Sequence, residues 1–307
     1  HCIEIEQTSG TFYCFSKYDA LAYHEVKDEL LSRKILRTHR IFADMVPGEI
    51  IPYSSYETRG KARTRLPRYN NLDVGVAYAA KRYGLNWMFD LSYSKAHIAR
   101  RLTRDRYGFM VAAKKTLLPR IDMVSFAQLG YNRGNRSLLT QSSPSQNHRH
   151  NYASLVFNTS LKVEEYINDK DFKLMGRINL IGEYTTSYKD WLFDWRSKLI
   201  TQIMPEIGVE FDTHVHHMPL KSYLYTAYNS VMSGLTQHYQ LNGDEHEYCQ
   251  RNFSGLHVGG EVRSTLYRNS DVAMFADYRS DKSYSAGIRF ILETKRPIVW
   301  RKQGLFQ

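Results

Sequence analysis

Cysteine is scarce in this chain, and the cysteines present form no recognisable motif. Cys2, Cys14 and Cys249 are the three cysteines, and no C-x-x-C pair occurs, which excludes a zinc ribbon and a thioredoxin-like centre. Cys2 and Cys14 could pair, which would leave Cys249 alone. A G-x-S-x-G elbow and a P-loop Gly-Lys-Ser are also missing, so we expect no enzyme activity, no catalytic residues and no cofactor.

Long apolar runs are missing as well, and proline is rare. No stretch of about 18 consecutive apolar residues occurs, which excludes a transmembrane helix. The 307 residues include 8 Pro against 23 Tyr, 14 Phe and 4 Trp, a composition that favours β-strands. Because the chain begins at His1 rather than at Met, we expect a mature product or a fragment of a longer protein.

Apolar and polar residues alternate with period 2 through most of the chain. The segments 85–94, 171–184 and 202–212 show this most clearly. At about 3.3 Å per residue, the longest of them spans about 46 Å, more than a typical strand of a soluble sheet. The pattern predicts twelve strands, at 37–45, 72–80, 85–95, 106–114, 120–131, 150–163, 171–184, 202–212, 219–230, 254–264, 270–280 and 283–292.

Long and short connections alternate between these strands. An up-and-down barrel produces this pattern when all short turns lie at one end and all long loops at the other. A soluble sandwich with Greek-key links would not be expected to produce it. Because the strand count is even, the start of the first strand and the end of the last strand both lie on the short-turn side. In a bacterial outer membrane that side faces the periplasm, so the long loops face the cell exterior.

The two faces of the predicted strands differ in charge. A dry core cannot hold many ionised groups, whereas a hydrated lumen can, so the charged face is assigned to the inside of a transmembrane barrel. The predicted lumen-lining residues are Asp73, Asp90, Asp122, Lys173, Arg177, Glu183, Glu206, Glu210, Lys221, Glu261, Arg263, Asp277, Arg279 and Arg289. The predicted lipid-facing residues are Leu85, Trp87, Phe89, Leu91, Leu174, Ile178, Leu180, Ile207, Val209, Phe211, Val258, Val262, Met274, Ile288 and Phe290. A water-soluble barrel with the opposite arrangement remains the alternative.

The residues ahead of the first predicted strand have a different pattern. Ser16 and Asp19 have the spacing of a capping box at a helix N-terminus. Ala22, Val26 and Leu30 follow at four-residue intervals with charged residues between them. We therefore predict a helix over 17–35.

The closing part of the chain resembles the translocator (β) domain of the autotransporter, or type V secretion, family. The residues that carry the resemblance are Met204–Phe211, Pro219–Leu224, Leu256–Arg263, Ala276–Arg279 and Ser283–Phe290. The resemblance implies an all-β fold, a twelve-stranded antiparallel transmembrane β-barrel whose lumen is plugged by an N-terminal helix. It implies an outer-membrane location in a Gram-negative bacterium, and three partners: outer-membrane lipid, the chain's own passenger segment and the barrel-assembly machinery.

On this basis the chain divides into three parts. Residues 1–36 form a passenger remnant and linker helix, residues 37–292 the barrel, and residues 293–307 a C-terminal extension. The sequence departs from the family in two places. Its barrels usually stop on a terminal aromatic residue, here expected at Phe290, but the chain continues, and no Asn precedes Asn70, so we expect no self-cleavage by asparagine chemistry. A porin-like channel without a passenger and a soluble basic β-protein that binds an anionic polymer are the alternatives.

Positive charge is in excess, with 42 Lys and Arg against 31 Asp and Glu and a formal net charge of +11. This predicts an anionic partner such as nucleic acid, lipid phosphate or an acidic polymer. Two basic clusters are placed at the outer rim, namely Arg59, Lys61, Arg63, Arg65 and Arg68, and Lys95, Arg100, Arg101, Arg104 and Arg106. Neither cluster has interleaved aromatic residues for base stacking, so lipid phosphate or surface polysaccharide is favoured and no nucleic acid is expected.

Two segments carry residue types that bind metal ions. His214 and His216 share a face of an extended chain, and 243–247 is rich in acidic residues. The first has few nearby carboxylates and the second lacks the alternating ligands of a calcium loop. We therefore expect a solvated turn, a hydrated loop and no metal.

Overall fold

The computed structural model describes fourteen ranges of the chain. These are residues 2–6, 12–16, 47–61, 69–98, 102–138, 146–168, 172–189, 193–215, 218–234, 236–241, 243–249, 254–267, 270–280 and 282–292. They are all strand, turn or irregular chain. In this part of the molecule no helix has the length and hydropathy needed to cross a membrane.

Twelve antiparallel strands close into a barrel, which confirms the predicted all-β class and the twelve-stranded antiparallel barrel. Neighbours in the barrel are neighbours along the chain, and the last strand pairs with the first from Ser283–Lys61 to Ile291–Tyr53. The barrel strands are β3 (Ile50–Lys61), β4 (Tyr69–Arg82), β5 (Leu85–Ile98), β6 (Leu102–Leu118), β7 (Ile121–Leu138), β8 (Gln146–Asn168), β9 (Phe172–Thr185), β12 (Lys198–Val215), β13 (Met218–Ser233), β16 (Gly255–Tyr267), β17 (Ser270–Arg279) and β18 (Ser283–Leu292).

Each predicted strand except the first overlaps one strand of the barrel. The predicted strand 37–45 lies outside the described residues, and the first barrel strand is β3, in a segment that was predicted to be a loop. The outward positions of β3 include Pro52, Ser54 and Thr58, so hydrophobic alternation is weak there. The predicted helix at 17–35 and the extension 293–307 also lie outside the described residues.

The two ends of the barrel differ as predicted. The connections at the first end, here the turn end, are residues 83–84, 119–120, 169–171, 216–217 and 268–269. Those at the other end, here the loop end, are 62–68, 99–101, 139–145, 186–197, 234–254 and 280–282. Several strands continue further toward the loop end than their apolar pattern does, because backbone pairing needs no apolar side chains.

A small antiparallel sheet lies in the two longest connections at the loop end. Its strands are β10 (Tyr188–Lys189), β11 (Phe193–Trp195), β14 (Thr236–Leu241) and β15 (Asp244–Cys249), in that order across the sheet. The predicted hydrated loop at 243–247 is therefore a turn followed by a strand. Gly243 has a φ of 92°, a value in the left-handed region, which lets the chain turn from β14 to β15.

The chain also begins with a two-stranded hairpin. β1 (Cys2–Glu6) and β2 (Phe12–Ser16) pair antiparallel. Their register places Cys2 opposite Ser16, and Cys14 opposite Glu4. The two cysteines predicted to be able to pair are therefore not direct cross-strand neighbours.

Candidate functional site

The inside of the barrel is the polar face of the wall. Along each strand, buried inward residues alternate with exposed outward residues, as the pattern of β9 shows. Glu57 and Asn179 are 0% exposed, whereas Ile207 and Met274, on the outside, are more than half exposed. A globular soluble protein would have the reverse arrangement.

The residues predicted from alternation occupy these two faces. Each residue predicted to line the lumen lies at an inward position, from Asp73 in β4 to Arg289 in β18. Each residue predicted to face lipid lies at an outward position, from Leu85 in β5 to Phe290 in β18.

The lumen carries further charges that the alternation of apolar and polar residues did not predict. Some lie on inward positions of strands that the sequence pattern did not predict or predicted too short. Others lie on predicted strands, at inward positions that were not assigned to the lumen. These residues include Glu57, Arg59, Arg104, Arg106, Lys114, Lys162, Glu164, Lys198 and Asp271. Extending the period-2 pattern through polar stretches would have found most of them.

The predicted placement of the basic clusters at the outer rim is wrong for three arginines. Arg59, Arg104 and Arg106 lie near the loop end but are inward and at most 7% exposed. Residue 59 in β3 and residue 104 in β6 belong to segments predicted to be loops, whereas Arg106 is the first residue of the predicted strand 106–114. Arg59 is bound to Glu57, with Nε–Oε1 at 2.6 Å. Lys95 is exposed on the outward face. The side chains of the other cluster members lie outside the described residues.

Charged side chains form a continuous series across four adjacent strands, β8, β9, β12 and β13, on the lumen side near the turn end. Lys162 pairs with Glu164 within β8. Lys173 Nζ in β9 lies 2.9 Å from Glu164 Oε2 and 3.8 Å from Glu210 Oε1 in β12. Lys221 Nζ in β13 lies 3.4 Å from the same Glu210 oxygen. The alternating signs offset part of the cost of removing these groups from water.

Several tyrosine rings lie over glycines of the wall, and this position lets their hydroxyls reach lumen carboxylates. The Tyr225 hydroxyl donates to Asp277 Oδ2 at 2.7 Å, and a Cβ on Gly259 would lie only 2.6 Å from that hydroxyl. A side chain larger than hydrogen would therefore collide with the ring. The same arrangement occurs in two further groups, Tyr53 with Gly75 and Asp90, and Tyr223 with Gly208 and Glu206.

An aromatic stack connects the barrel to the small sheet at the loop end. Ring centroids are 4.7 Å apart between Tyr152 and Tyr188, 6.3 Å between Tyr188 and Trp195, and 4.9 Å between Trp195 and Tyr239. Trp195 is 1% exposed. Burial raises the pKa of Tyr239 above its ordinary value. The stack packs the small sheet against β8.

The outward face has an apolar band in which the described charged side chains lie only toward its edges. Exposed tyrosines lie near the loop end, for example Tyr107, Tyr131 and Tyr278. Among the barrel side chains that the structure describes, charged residues on the outward face lie near strand ends. They are Arg82, Lys95, Asp105, Lys115, Arg133 and Glu165.

Metal binding finds no support in the described ranges. Within them, no three His, Cys, Asp or Glu side chains come together in a way that would hold a metal ion. His214 is exposed near the end of β12, and His216 and His217 lie outside these ranges.

Comparison with known proteins finds similarity in structure only. No protein-family model matches the sequence, and no curated protein matches it. The translocator domain of autotransporter NalP from Neisseria meningitidis has a TM-score of 0.60 and 8% identity, over 90% of this chain and 97% of that one. The transport unit of autotransporter AIDA-I from Escherichia coli has a TM-score of 0.55 and 10% identity, over 82% of this chain and 92% of that one.

A third solved structure is similar in the same way. The β domain of the Bordetella autotransporter BrkA has a TM-score of 0.51 and 8% identity, over 80% of this chain and 99% of that one. Similarity at these identities establishes the fold. The predicted resemblance is confirmed at that level: the chain has the β-barrel fold of autotransporter translocator domains.

Proposed function

We propose that this chain is the β-domain of an outer-membrane autotransporter, which anchors an upstream passenger polypeptide and helps to export it. The observation that carries the proposal is a closed twelve-stranded barrel that matches nearly the full length of three autotransporter domains. The charged lumen supports it, because such a path suits a polypeptide that crosses with its backbone hydrated. The proposed role is structural, with no catalytic residue and no cofactor.

The barrel wall is suited to lipid. Closure pairs the backbone groups of every strand with both neighbours, which is the condition for strands to cross a hydrocarbon layer. The outward band between Phe172 and Tyr184 of β9 is free of charge. At about 3.3 Å per residue and a tilt of about 40°, it spans about 30 Å, close to the hydrocarbon thickness of a bilayer. We propose an outer-membrane location, with the turn end toward the periplasm.

The segment 17–35 is proposed to form a helix that fills the lumen. An eight-stranded barrel is about the widest that side chains alone fill, and a twelve-stranded barrel encloses more space. Yet inward side chains such as Glu57, Asn179 and Ala273 are 0% exposed. Burial this complete supports a lumen with material inside it.

Two further partners belong to this proposal. Outer-membrane lipid would surround the apolar band. The barrel-assembly machinery would bind the closing strand β18, whose outward Phe290 is 48% exposed.

Surface display tests the export function. The full chain would carry a signal peptide and an epitope-tagged passenger ahead of His1 and be expressed in a Gram-negative host. We expect protease added to intact cells to remove the epitope. A matched chain lacking β16 to β18, which cannot close the barrel, should leave the epitope protected. A folded barrel in the outer membrane with the epitope retained inside would contradict passenger export.

Conductance tests the proposed plug. In planar bilayers the full chain should conduct weakly, and removal of residues 1–36 should raise the single-channel conductance. Equal conductance of the two forms would favour a plain channel without a plug. Recovery of the folded protein in the aqueous fraction without detergent would instead support a soluble β-protein and contradict both membrane functions.

A further inference from the structure

We propose that the outward face of β5, β6 and β7 at the loop end binds a lipid whose headgroup carries phosphate. This inference rests on the proposed function, since it needs the barrel to lie in a bilayer with its loop end at the outer surface. It assigns to one patch of the wall a specific lipid rather than the general contact that any membrane barrel makes.

The first observation is an apolar groove on the outside of the wall. It has a volume of about 820 Å³ and its lining includes Leu91, Phe109 and Leu129. These three residues are direct cross-strand neighbours and are each more than 40% exposed. The groove is shallow and open, and it offers an apolar surface against which an acyl chain can pack.

The second observation is a row of tyrosines at the upper edge of the groove, toward the loop end. Tyr93, Tyr107 and Tyr131 are again direct neighbours across the three strands. The rings of Tyr93 and Tyr107 lie 5.3 Å apart. Tyrosine has an apolar ring and a polar tip, and it is enriched where hydrocarbon meets headgroups. The row therefore marks the depth at which the headgroup of a bound lipid would begin.

The third observation is the pair of cations in the next outward row. Lys95 and Arg133 stand on either side of Asp105, in direct register with it. Asp105 accepts a hydrogen bond from the Tyr93 hydroxyl at 2.8 Å. Within the described residues, neither Lys95 nor Arg133 has an ion pair or a hydrogen bond from its side chain. Both cations are thus available to a ligand.

The spacing of the cations suits phosphate. Neighbouring strands lie about 4.8 Å apart, so the backbones of Lys95 and Arg133 are about 10 Å apart and their side chains can converge on one or two phosphates. Asp105 lies between them and accepts a hydrogen bond from Tyr93, so this row brings two cations against one carboxylate. The order from groove to phenols to cations runs along the direction in which a bilayer changes from acyl chain to headgroup. A lipid can contact the groove, the tyrosines and the cations, whereas a soluble anion would contact only the cations.

Lipid binding to the purified full chain in detergent micelles tests the proposal. The probe is diphosphorylated lipid A, with the bound fraction measured by native mass spectrometry. We expect the double variant Lys95→Gln/Arg133→Gln to weaken binding about 30-fold, which corresponds to about 1 kcal/mol for each cation near the headgroups. The matched control Arg82→Gln/Lys115→Gln removes two outward cations at the turn end and should bind like the unmodified chain.

Folding and partitioning are measured first, so that the two proposals can fail separately. Heat-modifiable electrophoretic mobility and insertion into vesicles report whether the barrel is folded and membrane-bound. A chain that does not insert would contradict the proposed function itself.

With an inserted barrel, three results would overturn the lipid site alone. They are equal affinity of the double variant, an equal loss in the turn-end control, and displacement of lipid A by excess inorganic phosphate. The last result would show a simple anion site.

Discussion

Replacement of Ile178 by arginine separates a lipid-facing wall from a water-facing one. Ile178 is 51% exposed and lies midway between the outward aromatic residues Phe172 and Tyr184 of β9. In the membrane it is therefore about 15 Å from either edge of the apolar band. We expect Ile178→Arg to destabilise the barrel by about 2–4 kcal/mol, or about 30-fold to 700-fold in the folding equilibrium. On a water-facing surface the same change would stay within about 0.5 kcal/mol.

The assay is equilibrium unfolding by guanidinium from phosphatidylcholine vesicles, followed by tryptophan fluorescence. Ile178→Ala measures the loss of the side chain alone. Thr213→Arg places the same charge on the outward face of β12 near the turn end, where the expected cost is about 0–1 kcal/mol. A free energy of unfolding for Ile178→Arg within about 0.5 kcal/mol of Ile178→Ala would refute the assignment of this face to lipid.

Two other substitutions test contacts inside the barrel and at its loop end. Gly208→Ala should destabilise by about 1–3 kcal/mol in urea, because the new Cβ would lie 2.6 Å from the Tyr223 hydroxyl. Gly176→Ala is the control, since its Cβ would meet nothing within 4 Å, and equal unfolding midpoints would contradict the collision. Trp195→Ala should weaken the packing of the small sheet by about 3–5 kcal/mol and speed proteolysis around Tyr239, while the barrel keeps its heat-modifiable mobility. Unchanged cleavage would mean that the stack does not hold the sheet.

Most of the barrel could be predicted because one side of most strands is apolar. Strands such as β5 and β9 alternate so regularly that their limits and faces follow from the residue order. β3 could not be found in the same way, because small and polar residues such as Ser54 and Thr58 occupy its outward positions. Its place in the barrel depends on pairing with β18, more than two hundred residues away along the chain.

The small sheet at the loop end escaped prediction for a different reason. β10 and β11 are very short, and β11 pairs with β14, which belongs to another connection. No periodicity within either connection indicates that pairing. The two segments meet because the closed barrel holds their flanking strands close together at one end.

The sequence by itself determined the all-β class, eleven of the twelve barrel strands, their up-and-down order and the inward or outward direction of most side chains, because alternation with period 2 is a property of the residue order. Only the tertiary structure decided the partners. It placed Lys173 of β9 between Glu164 and Glu210, and it laid Tyr225 across Gly259 to reach Asp277. Such contacts depend on the register between strands and on barrel closure, which residue order within one strand does not specify.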